Sequence, residues 1–170
     1  PKHHDNRGFF VETYSPAMFD FGILEREWSQ DNQSFSRKDV LRGLHFQYPV
    51  WQAKLVRVIS GHILDVIVDI RKNSPTFGKY LSLELSANVE DSLNVLYVPS
   101  GFAHGFLVTS ETANVAYKVS APFDAAGGYT LSWNDPSVGI NWPVSHPVIS
   151  KKDSLGIALP EVGALLSAGI

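Results

Sequence analysis

The stretch Leu64-Asp65-Val66-Ile67-Val68-Asp69-Ile70-Arg71 sets Leu64, Val66, Val68 and Ile70 against Asp65, Ile67, Asp69 and Arg71. A period of two is the mark of a strand, because successive side chains point to opposite faces. The same alternation recurs at Leu81, Leu83 and Leu85, and again at Val115, Tyr117 and Val119. Turn chemistry separates these runs: Ser60-Gly61, Asn73-Ser74-Pro75, Pro99-Ser100-Gly101, Asp124 to Gly128, and Asn134-Asp135-Pro136. Many short strands with regular turns predict an all-β sandwich or barrel rather than βαβ units. Helical pattern is scarce. Ser15 to Phe21 predicts one or two turns, with Ser15 as cap and Pro16 in the first helical position. The tail from Ser154 to Ile170 predicts a short helix or a docked arm. With no repeat, low-complexity segment or linker, residues 1–170 are expected to form a single domain. The chain opens on Pro1 rather than Met, which leaves room for a native N-terminal strand ahead of it.

The composition, 44% hydrophobic and 18% charged with a net charge of −3, is that of a soluble globular domain. The 14 Lys and Arg are scattered, which argues against a nucleic-acid partner. No apolar run approaches membrane-spanning length, and the start does not read as a signal peptide. The absence of cysteine excludes disulfides, a thiol nucleophile and Cys-ligated metal, and fits a cytoplasmic location.

Six histidines occur. His3, His4, His62 and His146 lie in polar or turn contexts and read as surface residues. His45 and His104 stand inside apolar strand-like segments, Leu41-Arg42-Gly43-Leu44-His45-Phe46-Gln47 and Gly101-Phe102-Ala103-His104-Gly105-Phe106. On spacing, Phe102, His104, Phe106 and Val108 share one face. Such histidines are either satisfied core residues or members of a site, and the residues alone leave both open. Lys54 opens another apolar strand, and cations are seldom buried unless paired, so an interior carrying it suggests an electron-rich ligand. Arg42 and His45 are three apart and would face opposite sides of a regular strand; a bulge at Gly43 would turn both inward. A histidine-ligated metal is disfavoured, because no His-x-His pair occurs and Gln47 stands where the second histidine would be. A Gly-x-Ser-x-Gly elbow and a Gly-rich phosphate loop are also missing.

The blocks Asp5-x-Arg7-Gly8-x-Phe10-x-Glu12, Gln30-Asp31-Asn32, Leu41 to Gln47, Gln52-Ala53-Lys54-Leu55-Val56, Asp65 to Arg71, Ser74-Pro75-Thr76-x-Gly78, Pro99 to Phe106, Tyr117-Lys118, Trp133-Asn134-Asp135 and Ser150-x-Lys152-Asp153 run in order along the chain. Together they resemble the dTDP-4-dehydrorhamnose 3,5-epimerase family. The resemblance implies a cupin-type jelly roll with short helical segments. It further implies a homodimer acting on a nucleotide-linked 4-keto-6-deoxy sugar without metal or organic cofactor. It assigns His45 as general base, Asp153 as its carboxylate partner, Tyr117 as general acid and Lys54 as the cation beside the keto oxygen. Arg7, Glu12, Gln30, Asp31, Asn32, Arg42, His104 and Lys152 match substrate-binding positions, and Phe123 stands where the family stacks an aromatic ring on the nucleotide base.

The residue types suit that chemistry. Carbons 3 and 5 of a 4-keto sugar both flank the carbonyl, so loss of either proton gives an enolate. Histidine is suited to take such a proton, and an aspartate on its other nitrogen fixes the tautomer. A cation at the developing oxyanion is worth roughly 2.7–4 kcal/mol by analogy with oxyanion-hole donors. Departures from the family pattern cluster between Pro122 and Tyr129, where Phe123, Ala125 and Gly128 replace a tyrosine, a proline and a glutamate. They leave open a single-carbon epimerase, a keto-isomerase on a related nucleotide sugar, and a non-catalytic sugar-binding cupin.

Overall fold

The computed structural model describes residues 1–19, 27–88 and 95–167. Eleven strands occur in chain order among them: β1 (His3–Asp5), β2 (Gly8–Phe10), β3 (Gln30–Arg37), β4 (Leu41–Gln47), β5 (Lys54–Ser60), β6 (His62–Asp69), β7 (Tyr80–Ser86), β8 (Val95–Val98), β9 (Phe102–Val108), β10 (Thr112–Val119) and β11 (Gly128–Thr130). One helix, α1 (Leu159–Ser167), closes the described chain, and 3-10 turns form at Pro16–Phe19 and Asp153–Leu155. The strands β3, β10, β5 and β8 make one antiparallel sheet, and β11, β4, β9, β6 and β7 make a second. Strands β1 and β2 pair only with each other, in an exposed hairpin. This is the all-β sandwich that the alternating runs predict and the jelly roll that the family resemblance implies. The predicted turn at Ser15–Phe21 is realised over Pro16–Phe19, and Asp20 and Phe21 lie outside the described residues.

The five-stranded sheet is buried on both faces, and strand parity decides which residue goes where. Ile63 and Ile67 of β6 face the four-stranded sheet, joining Val56, Val58, Val98, Phe106, Val108 and Val115 in one core. Val66 and Val68, one step out of phase, face the other way and pack with Leu44, Phe46, Leu131, Leu159 and Val162. A sheet covered on both sides needs apolar residues at odd and even positions alike, as in Val66-Ile67-Val68. Each wholly buried Val or Leu contributes roughly 1.5–3 kcal/mol relative to exposure. The alternation of Leu81, Leu83 and Leu85 does produce β7, but only Leu85 is buried; Leu81 and Leu83 on this edge strand stay exposed.

The second core exists because the chain after β11 folds back over the sheet. Asp135 holds it there: Oδ1 accepts from the Ser137 N–H at 2.7 Å, and Oδ2 accepts from the Leu159 N–H, also at 2.7 Å. A carboxylate at a helix N-terminus satisfies an orphan donor and complements the helix dipole. The Trp133-Asn134-Asp135 motif is therefore a clamp on the C-terminal segment. Asp69 plays a comparable part in the connection from β6 to β7, accepting from Arg71, Ser74 and Thr76 at 2.6–2.9 Å. These contacts outweigh its burial and hold its carboxyl well below the usual range.

Candidate active site

Between the two sheets lies a cleft of about 650 Å³ lined by Gln30, Asn32, Arg42, His45, Lys54, Tyr117, Phe123, Lys152 and Asp153, among others. Its construction begins at Gly43. Arg42 pairs with Phe106 and His45 with His104, so β4 spends three residues where β9 spends two. That is a bulge, and it lets Arg42 and His45 reach the same cleft. Gly43 takes φ +115°, and a Cβ there would stand 2.7 Å from Gly105 Cα and from the His104 carbonyl oxygen. Only glycine fits both conditions.

His45 Nε2 lies 2.6 Å from Asp153 Oδ1, and the other carboxylate oxygen lies 3.4 Å from the Gly43 N–H. A carboxylate only accepts, so the ring proton sits on Nε2 and leaves Nδ1 as the basic nitrogen. Asp153 is itself buried, and Ser150 Oγ holds its backbone N–H at 3.0 Å. Burial raises the Asp153 carboxyl, but hydrogen bonds from His45, Gly43 and Ser150 and the charge of His45 outweigh it and leave the group below its ordinary value. The imidazole, 41% exposed, opens to the cleft.

Lys54 occupies the floor. It is 6% exposed, and its ammonium donates to the His45 carbonyl at 3.2 Å. Burial pushes Lys54 down to about 8, against the opposing attraction of Asp65. On the β10 wall Tyr117 is half-buried, and burial raises its phenol while Arg42 opposes that shift. The Arg42 guanidinium is held by Ser36 Oγ at 2.8 Å and the Phe35 carbonyl at 3.3 Å. His104 stays behind the cleft lining, 5% exposed, with Nε2 3.0 Å from each Asp65 oxygen. Burial, with Lys54 and His45, lowers the His104 imidazole, and Asp65 works against them.

At the mouth, Phe123 is 60% exposed, and its backbone N–H donates to Gln30 Oε1 at 3.1 Å. The Lys152 ammonium stands 5.6 Å from the centre of that ring. Gly128 lies beneath the pair, where a Cβ would come within 3.4 Å of Phe123 and 3.7 Å of Lys152 Nζ. Gln47 donates to the Val50 and Pro122 carbonyls and accepts from Asp124, so it fastens this loop. Among the described residues no group of three or more His, Asp or Glu could hold a metal ion.

Not every residue matched to a substrate-binding role reaches this cleft. Arg7 and Glu12 are on and after the exposed N-terminal hairpin, where Arg7 pairs with Asp5. Asp31 faces outward and pairs with Lys118 at 2.9 Å. Neither the hairpin residues nor Asp31 line the cleft of their own chain. Spacing alone gave no hint of Asp65 as the partner of His104, since the two are 39 residues apart; a carboxylate inside an apolar strand was the available signal.

Fold and cleft together define a class: a cupin-type jelly roll with ionisable groups gathered between its two sheets. A sequence model described as dTDP-4-dehydrorhamnose 3,5-epimerase matches residues 1–161. The dTDP-4-dehydrorhamnose 3,5-epimerase of Neisseria gonorrhoeae is 46% identical over 153 residues, which make up 89% of this chain and 46% of that protein, so the chain spans about half its length. Among solved structures, a dTDP-6-deoxy-D-glucose-3,5-epimerase of Legionella pneumophila, in complex with dTDP-4-keto-L-rhamnose, superposes with TM-score 0.89 at 38% identity, over 98% of this chain and 88% of that one. A 3'-monoepimerase of Streptomyces bikiniensis, in complex with dTDP-quinovose, gives TM-score 0.86 at 30% identity, over 97% and 83%. The chain belongs to the dTDP-4-dehydrorhamnose 3,5-epimerase family of isomerases.

Proposed function

We propose that the chain epimerises a nucleotide-linked 4-keto-6-deoxy sugar, dTDP-4-dehydro-6-deoxyglucose, at carbons 3 and 5 to give dTDP-4-dehydrorhamnose. The observation that carries this reading is the His45–Asp153 pair at 2.6 Å, open to a cleft that Lys54 and Tyr117 also line. His45 Nδ1 takes the proton from the carbon beside the carbonyl. The C–H electron pair forms the enolate, and the Lys54 ammonium stabilises the charge that gathers on oxygen. Tyr117 donates its phenolic proton to the opposite face, which restores the ketone with inverted configuration. The phenolate regains a proton and His45 releases its own to solvent, so the cycle closes without net gain or loss. Burial of the Tyr117 phenol supports this role, because it favours the protonated form needed by an acid.

In this reading Arg42 and Lys152 bind the diphosphate, Phe123 stacks on the base, and Gln30 and Asn32 meet hydroxyl or carbonyl groups; their presence in the lining of one cleft supports it. His104 serves from behind the lining. Arg7, Glu12 and Asp31 stand off the cleft of their own chain, and in this reading they serve one shared with a second copy. The exposed Phe9 and Phe10 of the hairpin support a homodimer that covers them. Residues 1–170 act as one domain, in the cytoplasm, with no metal or organic cofactor.

A second reading, inversion at one carbon only, is favoured by Gly128 standing where the family pattern has a glutamate and by the likeness to a monoepimerase. Incubation with the dTDP-linked keto sugar in deuterated water separates the two by NMR. Exchange at carbons 3 and 5 supports the first reading, and exchange at one supports the second. Binding without exchange would overturn both in favour of a sugar-binding protein.

A further inference from the structure

Asp65 has no part in the scheme above, yet it is 1% exposed at the centre of the sandwich. The β-register explains its neighbours. His104 of β9 stands directly beside His45 of β4 and opposite Ile67 of β6, and Asp65 precedes Ile67 by two, on the same inner face. Two imidazole–carboxylate pairs therefore lie side by side, His45–Asp153 at the cleft and His104–Asp65 behind it. A carboxylate is very costly to bury alone, so a buried one is expected to have cationic or N–H partners. His104 supplies one N–H to both oxygens at 3.0 Å. The remaining buried opposite charge is Lys54: it shares the inward parity of Val56 and Val58 on β5, as Asp65 shares that of Ile63 and Ile67 on β6, and those four apolar residues meet in one core between the sheets.

The ionisable groups around Lys54 come from four strands and from the 3-10 turn at Asp153–Leu155. His45 of β4 offers its carbonyl oxygen, and Asp65 of β6 offers negative charge. His104 of β9 couples to Lys54 repulsively, and Tyr117 of β10 lines the same cleft. Arg42 of β4 and Asp153 line that cleft as well; Asp65 and Asp153 are the buried anions, and Asp153 is already taken by His45.

We propose that Asp65 is a positioning residue that keeps Lys54 protonated in the floor of the cleft, with His104 hydrogen-bonded to both Asp65 oxygens so that the carboxylate stays aimed inward. The proposal rests on the reading of Lys54 as the partner of the keto oxygen. It explains why a buried carboxylate is held behind a cation whose charge burial alone would discourage.

The test is the Asp65→Asn variant, whose amide oxygen still accepts from His104 while the charge is gone. Lys54 is followed directly by the chemical shift of its labelled side-chain carbon as pH is raised, and the pH profile of proton exchange is recorded in parallel. The proposal expects the Lys54 titration and the basic limb of kcat/KM to move together, to at least about tenfold higher proton concentration. A general loss of packing would lower the rate at every pH and leave the limb in place. If Asp65→Asn does not fold, the wild-type protein decides: the labelled Asp65 carboxyl carbon should report the Lys54 titration. An unmoved Lys54 titration in the variant, or an Asp65 signal silent while Lys54 titrates, overturns the proposal. Coupled titrations in a protein that exchanges no proton from the sugar would sustain the Asp65–Lys54 link and overturn the epimerase reading instead.

Discussion

His45 Nε2 and Asp153 Oδ1 lie 2.6 Å apart although 108 residues separate them in the chain. The contact fixes which nitrogen of His45 carries the proton, and in the proposed reaction Asp153 stabilises the imidazolium that proton abstraction would create. Asp153→Asn keeps the size of the side chain and removes its charge. Deuterium exchange into the sugar is expected to fall about 10²–10⁴-fold, with dTDP affinity by calorimetry within a few-fold of wild type. A parallel loss of dTDP binding would count against this division of labour.

Tyr117→Phe should separate proton removal from inversion. His45 can still take a proton and return deuterium to the same face, so exchange continues while the configuration is retained. NMR of the recovered sugar reads both. Inversion at an undiminished rate would remove Tyr117 as the acid.

Lys54 carries a cost in stability whose sign follows from its titration. In the folded chain it gives up its proton near 8, below its ordinary 10.5, so the folded state binds fewer protons than the unfolded one between those values. Its destabilisation is complete below about pH 8 and fades as pH rises toward 10.5. Lys54→Met should therefore raise the melting temperature at pH 7, by an amount equivalent to about 1–3 kcal/mol, and lose exchange by about 10²–10³-fold. The gain in melting temperature should shrink in melts repeated at pH 9 and 10.

Gly43→Ala places a methyl group against the backbone of Gly105 at a positive φ. Folding stability is expected to drop by about 1–3 kcal/mol in urea titrations. In the fraction that folds, both kcat and KM should deteriorate, because the bulge delivers Arg42 and His45 together. A variant with normal stability and kinetics would show that the strand tolerates another path.

Phe123→Ala should weaken dTDP binding about 3–10-fold, the worth of a modest aromatic contact, while Phe123→Tyr should leave it unchanged. Calorimetry of both variants decides whether the ring at the mouth engages the base.

Much of the architecture was legible because strand parity is written in residue order. Val66, Ile67 and Val68 announce a strand, and the burial of both faces needs only the alternation to be read twice. What the order of residues could not supply was depth. Leu81 and Leu83 carry the same pattern as Leu85 yet remain exposed, since nothing in an edge strand says how far a second layer extends over it. Lys54 was legible as a cation in an apolar strand, and Gly43 as the residue able to bulge. Asp153 stands in a Lys-Lys-Asp sequence with no local sign of burial, because the burial that defines it is imposed by strands more than a hundred positions earlier. Arg7 and Glu12 show the opposite limit: their match to a motif says nothing about which surface they face.

The layer formed after β11 does more than cover Leu44, Phe46 and Val66. It carries Asp153 to His45, and its attachment through Asp135 and Leu159 comes from nearly the last residues described. On a ribosome, His45 therefore emerges long before its carboxylate partner. The growing chain holds an unoriented imidazole until the stretch that carries Asp153 has docked, so the pair forms only after the layer beyond β11 is in place.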